Sequence, residues 1–455
     1  MAVRLSSAVT GTVTSRIGAA SGARRVSASA AAEQEAGTLG KAHVPLGEDG
    51  EGVYSEATLG CFRVIQNSEP LVVDSVRNVP APVNCNPFVI VDYGTADAGT
   101  SLPLMHSAIS ALRQRLPHQQ VLVVYEDQPN NEWRSVFFHT QGIKEVPGVP
   151  LFTQEFDNVH VLASGLSFHH QCLPNNYIHF GMCFTAMHWL NAKPCNISAA
   201  LHHTQANDEE KQIFAQQAKK DWENLLMHRV NEMAPGGRQV IVNFAVDENG
   251  YYLGNTDHGE NMHANFNAIW SVMCKEGKIS PEEYANTTFI NYYRTPEEHS
   301  EPFQPGNPVY DAGLRLLSCE TRITRCPFHE HWMQHGGDPV EHARWFVPTT
   351  RTWSNSTFLS ALDKGRPMEQ REALVEEMYE RYVQHVARDP SRHHMDYMHC
   401  KHLEYLIRRA RFGRLCTKRA PPALHCCSQV ICSWKKCMNS FKICNKRCTK
   451  GKVTC

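Results

Sequence analysis

Asn86-Pro87-Phe88-Val89-Ile90-Val91-Asp92, running directly into Tyr93-Gly94-Thr95-Ala96-Asp97-Ala98-Gly99, decides the fold. The apolar, β-rich run is short enough for a buried strand, and it ends in an acid followed by a glycine-containing loop. Leu102–Leu116 then reads as an amphipathic helix, with Leu104, Ile109, Leu112 and Leu116 at helical spacing. Gln120–Tyr125 (QVLVVY) reads as a second buried strand. Strand, helix, strand in this order implies a parallel pair joined by a right-handed crossover, hence an α/β fold.

Outward from that unit, Val159–Leu162 and Tyr177–Gly181 are expected strands, and a helix is expected from about Glu209 to Asn231. Arg238–Val246 is the clearest later strand, announced by Pro235-Gly236-Gly237 read as a turn. The stretches 191–235, 255–300 and 325–385, helical and partly aromatic-rich, are expected to form a cap over the sheet edge. Residues 1–45 are expected to be a disordered leader, 46–397 the folded domain and 398–455 a basic, cysteine-rich extension. His399–Arg411 reads as a basic helical pattern.

The chain has 455 residues and a formal charge of −1. That balance hides an asymmetry. Four arginines and no acid lie in 1–32, thirteen Lys or Arg and no acid in 405–455, so the stretch between them carries −18. An acidic body argues against a nucleic-acid reader, whose basic patch belongs on the folded domain. The most apolar candidate span, Tyr177–Leu190, is too short to cross a bilayer, so no transmembrane segment is expected. The leader's Arg, Ser and Ala content, free of acids until Glu33, is that of a transit peptide or of a disordered leader without an address. Cytoplasmic location is the expectation, with mitochondrial or plastid import left open. Of seventeen cysteines, eight lie in 416–455 and the other nine read as free thiols.

Three segments carry the chemistry, of which the third, Glu232–Arg238, is by itself only a turn before a strand. A glycine at position 94, just past a strand end, lets a ligand approach backbone without a Cβ in the way. Asp127, after the second strand, has the acceptor oxygens to take both hydroxyls of a ribose, although capping the next turn is the plainer use of an Asp there. The spacing from Gly94 to Gly99 lacks the close glycine pair of a dinucleotide fingerprint, and no Gly-Lys-Ser/Thr loop is present, which disfavours nicotinamide cofactors and nucleoside triphosphatases.

Together with VYEDQPNNEWRSVF (124–137), SFHHQCLP (167–174), FTAMHWLNAKP (184–194) and QQAKKDWENLLMHRVNEMAPGGRQVIV (216–242), these segments resemble the SABATH family of S-adenosyl-methionine-dependent methyltransferases. That family includes salicylate and jasmonate carboxyl methyltransferases and caffeine-pathway N-methyltransferases. The resemblance runs from about Gly47 to Tyr397 and is nearer the non-plant members. It implies a Rossmann-like methyltransferase fold, with a mostly parallel seven-stranded sheet, helices on both faces and a helical cap. It implies S-adenosyl-L-methionine as cofactor, bound by Tyr54, Thr58, Asp92, Gly94, Asp127, Ser167 and Phe168, and it suggests a homodimer. Trp189 matches the tryptophan whose indole N–H donates to the substrate carboxylate, an acceptor-only group. The family's substrate glutamine falls on Cys61, its pocket tyrosine on Thr185 and its magnesium aspartate near Thr287. Cys61, Thr185 and Trp189 are therefore expected to position the substrate, and no metal is expected.

The implied reaction is methyl-ester formation on the carboxylate of a small, largely apolar acid. A carboxylate is already ionised at neutral pH, so no general base is needed, only alignment and exclusion of water. N-methylation on the same scaffold remains open, as does an inactive cofactor-binding protein using its tail for partners. Cys326, His329, His331 and His335 have metal-like spacing but read as a histidine-rich cap surface, and the pairs His202-His203 and His393-His394 as solvent-facing.

Overall fold

The structure, a computed structural model, describes residues 50–83, 86–257 and 259–407, the side chains at 401–404 excepted. The leader and the cysteine-rich tail lie outside the described residues.

Seven strands form one sheet in the order β3-β2-β1-β4-β5-β7-β6. They are β1 (Phe88–Tyr93), β2 (Val121–Glu126), β3 (Val159–Ser164), β4 (Ile178–Phe184), β5 (Met233–Phe244), β6 (Leu314–Thr324) and β7 (Tyr397–Ile407). β1 pairs in parallel with β2 on one side and β4 on the other, and β5 continues the parallel set. The strand order reverses between β1 and β4, so a crevice opens beyond their carboxyl ends. β1 and β2 are buried along their whole length, which is why they read as continuous apolar runs rather than alternating ones.

The expected α/β architecture is present: a mostly parallel seven-stranded sheet of Rossmann-like methyltransferase type, with helices on both faces. Leu102–Arg115 buries Leu104, Met105, Ala108, Ile109 and Leu112 in the core on one face. Asp208–Glu232 starts at a capping box, with Asn207 and Glu210 satisfying each other's backbone N–H groups. Its Trp222, Leu225 and Leu226 pack with Val89, Val91, Ile241 and Tyr405. This helix covers the second face of the sheet and is no part of the cap, which corrects the assignment of 191–235.

Two more expectations change. Residues 397–407 form β7, so the domain does not end at Tyr397, and the described part of the expected helical segment, His399–Ile407, is strand. β7 is antiparallel to both β5 and β6 and lies between them. Covered on both sides, it buries Met398, His399, Cys400 and Tyr405 and shows no clean alternation, which is what disguised it. There the Nε2 of His399 hydrogen-bonds the Thr324 hydroxyl, 3.1 Å away. Second, Pro235-Gly236-Gly237 lies inside β5, where the pairing with β4 shifts register, rather than in a turn before it. A Cβ on Gly237 would stand 2.8–3.1 Å from the carbonyl oxygens of Ala234, Ile178 and His179, so only glycine fits this irregularity.

The cap is built from Met262–Lys275, Pro339–Ala361 and Met368–Arg388, joined through aromatic contacts such as Trp270 with Phe358 and Phe266 with Tyr382, their rings 5.0 and 5.1 Å apart. These rings belong to the same apolar core as Val240, Val242 and Phe244 of β5. Among the described residues, no helix is long and apolar enough to cross a membrane.

Candidate functional site

Loop 94–99 leaves β1 in a conformation few residues tolerate. Gly94, Ala96 and Ala98 have φ values of 69°, 50° and 65°. The left-handed region is costly for alanine, so the loop must be held from outside. The end of β2 does so. The N–H groups of Gly94 and Thr95 donate to the Glu126 carbonyl, the Ala96 N–H donates to Asp127 Oδ2 at 2.8 Å, and Asn131 Nδ2 donates to the Ala96 carbonyl at 2.7 Å. Asp92, at the end of β1, accepts from the hydroxyl of Ser101 at 2.6 Å.

Both carboxyls are buried among few charges. Burial pushes Asp92 up to about 7, with the Ser101 and Thr95 hydroxyls opposing it, and pushes Asp127 up to about 6, with the Ala96 and Gln128 N–H groups opposing it. Asp127 accepts one backbone N–H on each oxygen, leaving further lone pairs for a ligand. Gly94 faces Ala186 so closely that an added Cβ would lie 2.4 Å from the Ala186 Cβ. The bare backbone at 94 is therefore one wall of a cradle.

These groups open onto a cavity of about 310 Å³. Tyr54, Gly94, Asp127, Ser167 and Phe168 line it, and so do Cys61, Thr185 and Trp189. Asp92 lines a smaller adjoining recess together with Tyr54, Cys61 and Gly94. Nine of the ten expected site residues thus lie at one place. Thr58 is the exception. It borders neither space, and its hydroxyl donates to the Tyr54 carbonyl at 2.6 Å, within the turn between helices Val53–Ala57 and Leu59–Gln66. Tyr54 reaches the cavity and Thr58 braces it from behind.

The rest of the wall was not read from the sequence. Phe184 and Phe244 come from β4 and β5, Leu253 from the loop after β5, Trp353 from the cap, Met395 from the residues just before β7 and Tyr397 from its first position. His188, Asn291 and Tyr293 add polar groups. Burial holds His169 down to about 3 and the Cys61 thiol up to about 11, so near neutral pH one is an uncharged imidazole and the other a protonated thiol. No lysine or arginine lines the cavity among the described residues.

A buried ion pair supports loop 167–173 from beneath. Arg229 donates to the carbonyls of Phe168 and His170, both at 2.8 Å, and to both oxygens of Glu232. Glu232 in turn accepts from the N–H groups of Cys172 and Leu173 and from the Tyr93 hydroxyl. Both side chains are fully buried, and their spacing of three residues in 216–242 was the available signal.

The histidine readings need correction. His202, His203, His393 and His394 are buried, because they sit in turns under the cap rather than on an exposed helix face. His202 stacks on His263 at 3.9 Å. The Cys326, His329, His331 and His335 set does not converge: no three of their ligand atoms lie within 4.8 Å of one another, and His329 bonds the Ser391 carbonyl. Among the described residues, only Glu260, His385 and His393 bring three metal-capable atoms within 4.8 Å, and there Glu260 is already paired with Arg392 and His385.

A family model described as "SAM dependent carboxyl methyltransferase" matches residues 42–402. Loganic acid O-methyltransferase of Catharanthus roseus is 24% identical over 225 residues, covering 45% of this chain and 57% of that protein. A probable 7-methylxanthine methyltransferase of Theobroma cacao is 21% identical over 279 residues, covering 56% and 71%. The first-ranked curated relatives are thus matched over only about half of their own length. Among solved structures, a loganic acid methyltransferase with S-adenosyl-homocysteine superimposes with a TM-score of 0.61 at 16% identity, over 81% of this chain and all of that one.

Proposed function

Because the chain belongs to the S-adenosyl-methionine-dependent carboxyl methyltransferase family, we propose that it is an enzyme that converts the carboxylate of a small acid into its methyl ester. What supports this reading is one cavity shared by the Gly94 loop, the Asp127 carboxylate and the Phe168 ring with the indole of Trp189. Strand ends hold the first three, and the loop after β4 holds the last.

The donor set suits an adenosyl sulfonium. Asp127 has acceptor sites for a ribose diol, and Gly94 leaves room for close backbone approach. Phe168 offers an apolar face for a purine beside Ser167, and Asp92 with Asp127 makes that end of the cavity acidic, as a cationic ligand requires. When bound, S-adenosyl-methionine supplies an activated methyl group. The chain's residues bind and orient. Trp189 presents an N–H to the acceptor carboxylate, while Phe184, Phe244, Trp353 and Met395 exclude water, which strengthens every polar contact inside. No cavity group is needed as a base, because the carboxylate is already ionised. The protonated Cys61 thiol and the neutral His169 ring are consistent with that. Tyr54, Cys61 and Thr185 shape the junction between the cofactor and acceptor ends.

The unit that this proposal needs is 46–407; the leader and the basic extension stand outside it. Incubation with methyl-labelled cofactor and a panel of small acids, followed by mild base, tests the reaction: an ester releases its label and an N-methyl group does not. Label that survives base in every product refutes ester formation and supports the N-methyl alternative.

A further inference from the structure

We propose that Asn291 is the second donor to the substrate carboxylate, acting beside Trp189 in the role that Cys61 cannot fill. This rests on the reading of the cavity as a carboxyl methyltransferase site.

Trp189 and Asn291 are directly opposed in a short antiparallel bridge. The Leu190 N–H donates to the Ile290 carbonyl, and the Tyr292 N–H donates to the His188 carbonyl, both at 2.9 Å. Those two bonds flank the pair, so Trp189 and Asn291 form the close, non-hydrogen-bonded kind of cross-strand pair, in which side chains leave the same face near one another. Both line the cavity. The neighbours Ile290 and Tyr292 turn the other way, against a small apolar cluster with Leu190, Ile197 and Phe214. The bridge therefore sets an indole N–H and a carboxamide side by side on one wall.

The amide is poorly served by the protein. Asn291 is 1% exposed, and neither its nitrogen nor its oxygen has a hydrogen bond of good geometry, although the Tyr293 hydroxyl and the His202 ring stand nearby. The Gln239 and Asn243 amides are likewise buried without partners, but of the three only Asn291 lines the cavity, where a ligand can serve it.

Charge points the same way. A carboxylate entering this cavity meets no lysine or arginine among the described lining residues, so hydrogen-bond donors such as N–H and O–H groups are left to hold it. Trp189 offers one and Asn291 two. Cys61 faces the Thr185 hydroxyl at 3.9 Å, and its protonated thiol is a weak donor. The family glutamine that falls on Cys61 thus has its amide restored from another element, the bridge strand opposite Trp189.

The test uses the full chain and the best acid from the labelled-cofactor panel. Asn291→Leu should raise the KM for the acid at least tenfold, lower kcat less, and leave the KM for S-adenosyl-methionine unchanged. Asn291→Asp keeps the shape, sets a carboxylate against the substrate and should raise the acid KM further; it also serves if the Leu variant folds poorly. Cys61→Gln added to Asn291→Leu should recover most of the lost acid affinity, which a purely structural role for Asn291 would not allow. An acid KM within twofold of wild type in both Asn291 variants overturns the proposal while leaving the carboxyl methyltransferase reading intact. A wild-type enzyme that methylates only ring nitrogens of lactams overturns both.

Discussion

Arg229→Met tests how the cofactor-facing loop is held. The substitution keeps the apolar stem and removes four donated hydrogen bonds: two to Glu232 and one each to the Phe168 and His170 carbonyls. It leaves the Glu232 carboxylate without its cation at a site with no solvent exposure. Breaking a buried pair from one side costs about 3–5 kcal/mol, because the stranded charge keeps its desolvation penalty. Losses at the two carbonyls, about 1.5–3 kcal/mol each for charged donors, overlap with that figure and are not added to it. Against a total stability of about 5–15 kcal/mol, the variant folds but is weakened. Adding Glu232→Gln removes the stranded charge while keeping an acceptor for the Cys172 N–H, and should return about 1–3 kcal/mol. Urea unfolding of wild type, both single variants and the double variant gives the coupling directly. Calorimetric titration with S-adenosyl-homocysteine on the same samples should show Arg229→Met binding at least tenfold more weakly, about 1.4 kcal/mol, because loop 167–173 carries Phe168. A stability loss with unchanged affinity would refute the idea that the pair positions the loop, and a loss below about 1 kcal/mol would refute the energetic argument itself.

Four further outcomes follow from the same geometry. Asp127→Ala should weaken S-adenosyl-homocysteine by about 2 kcal/mol or more, since it removes a charged acceptor from two hydroxyls. In the wild type, burial raises Asp92 and Asp127 to about 7 and about 6, and a cationic, hydroxyl-donating ligand favours their ionised forms. Affinity should therefore rise with pH from 5 to about 7.5 and then level off. Binding near pH 6 should release protons, seen as a buffer-dependent calorimetric heat, and a pH-independent affinity would contradict the assignment. Gly94→Ala places a Cβ 2.4 Å from that of Ala186 at a φ of 69°, so the fold should lose about 1–2 kcal/mol or more, seen as a lower unfolding midpoint, and S-adenosyl-homocysteine affinity should fall tenfold or more below the melting range. A chain cut after Arg411 should keep its fold and cofactor affinity, whereas one cut after Met395 loses β7 from between β5 and β6 and should not fold; circular dichroism and titration separate the two.

The cofactor end was legible because its parts are local. A strand that is buried on both faces must be continuously apolar, its end must carry the loop, and a ligand-facing loop must spare a Cβ; Phe88–Gly94 satisfies all three within seven residues. Asp127 is equally local to β2. The same property hid β7. Tyr397–Ile407 lies between two partners and buries His399 by bonding it to Thr324, so it reads neither as an apolar run nor as an alternating one. The buried pairs His202-His203 and His393-His394 misled for a related reason: burial of a neutral imidazole is paid for by neighbours such as His263 and the Glu260 loop, which lie far off in the sequence.

Substrate recognition was illegible for a more general reason. The acceptor end of the cavity takes Phe244 from β5, Trp353 from the cap, Tyr397 from β7, and Asn291 from a bridge opposite Trp189, residues separated by up to 208 positions from one another. None sits in a motif, because no local backbone conformation is needed to bring it there; only the packed tertiary structure does so. A cofactor common to many reactions can be met by fixed loops at strand ends, whereas acceptors differ in shape and need walls that vary independently. Changes at Cys61, Thr185 and Asn291 can therefore re-tune the acceptor without disturbing Gly94, Asp127 or the Arg229–Glu232 pair. It follows that variants at the acceptor wall should separate from those at the strand ends in kinetics: the former moving the acid KM, the latter the affinity for the cofactor.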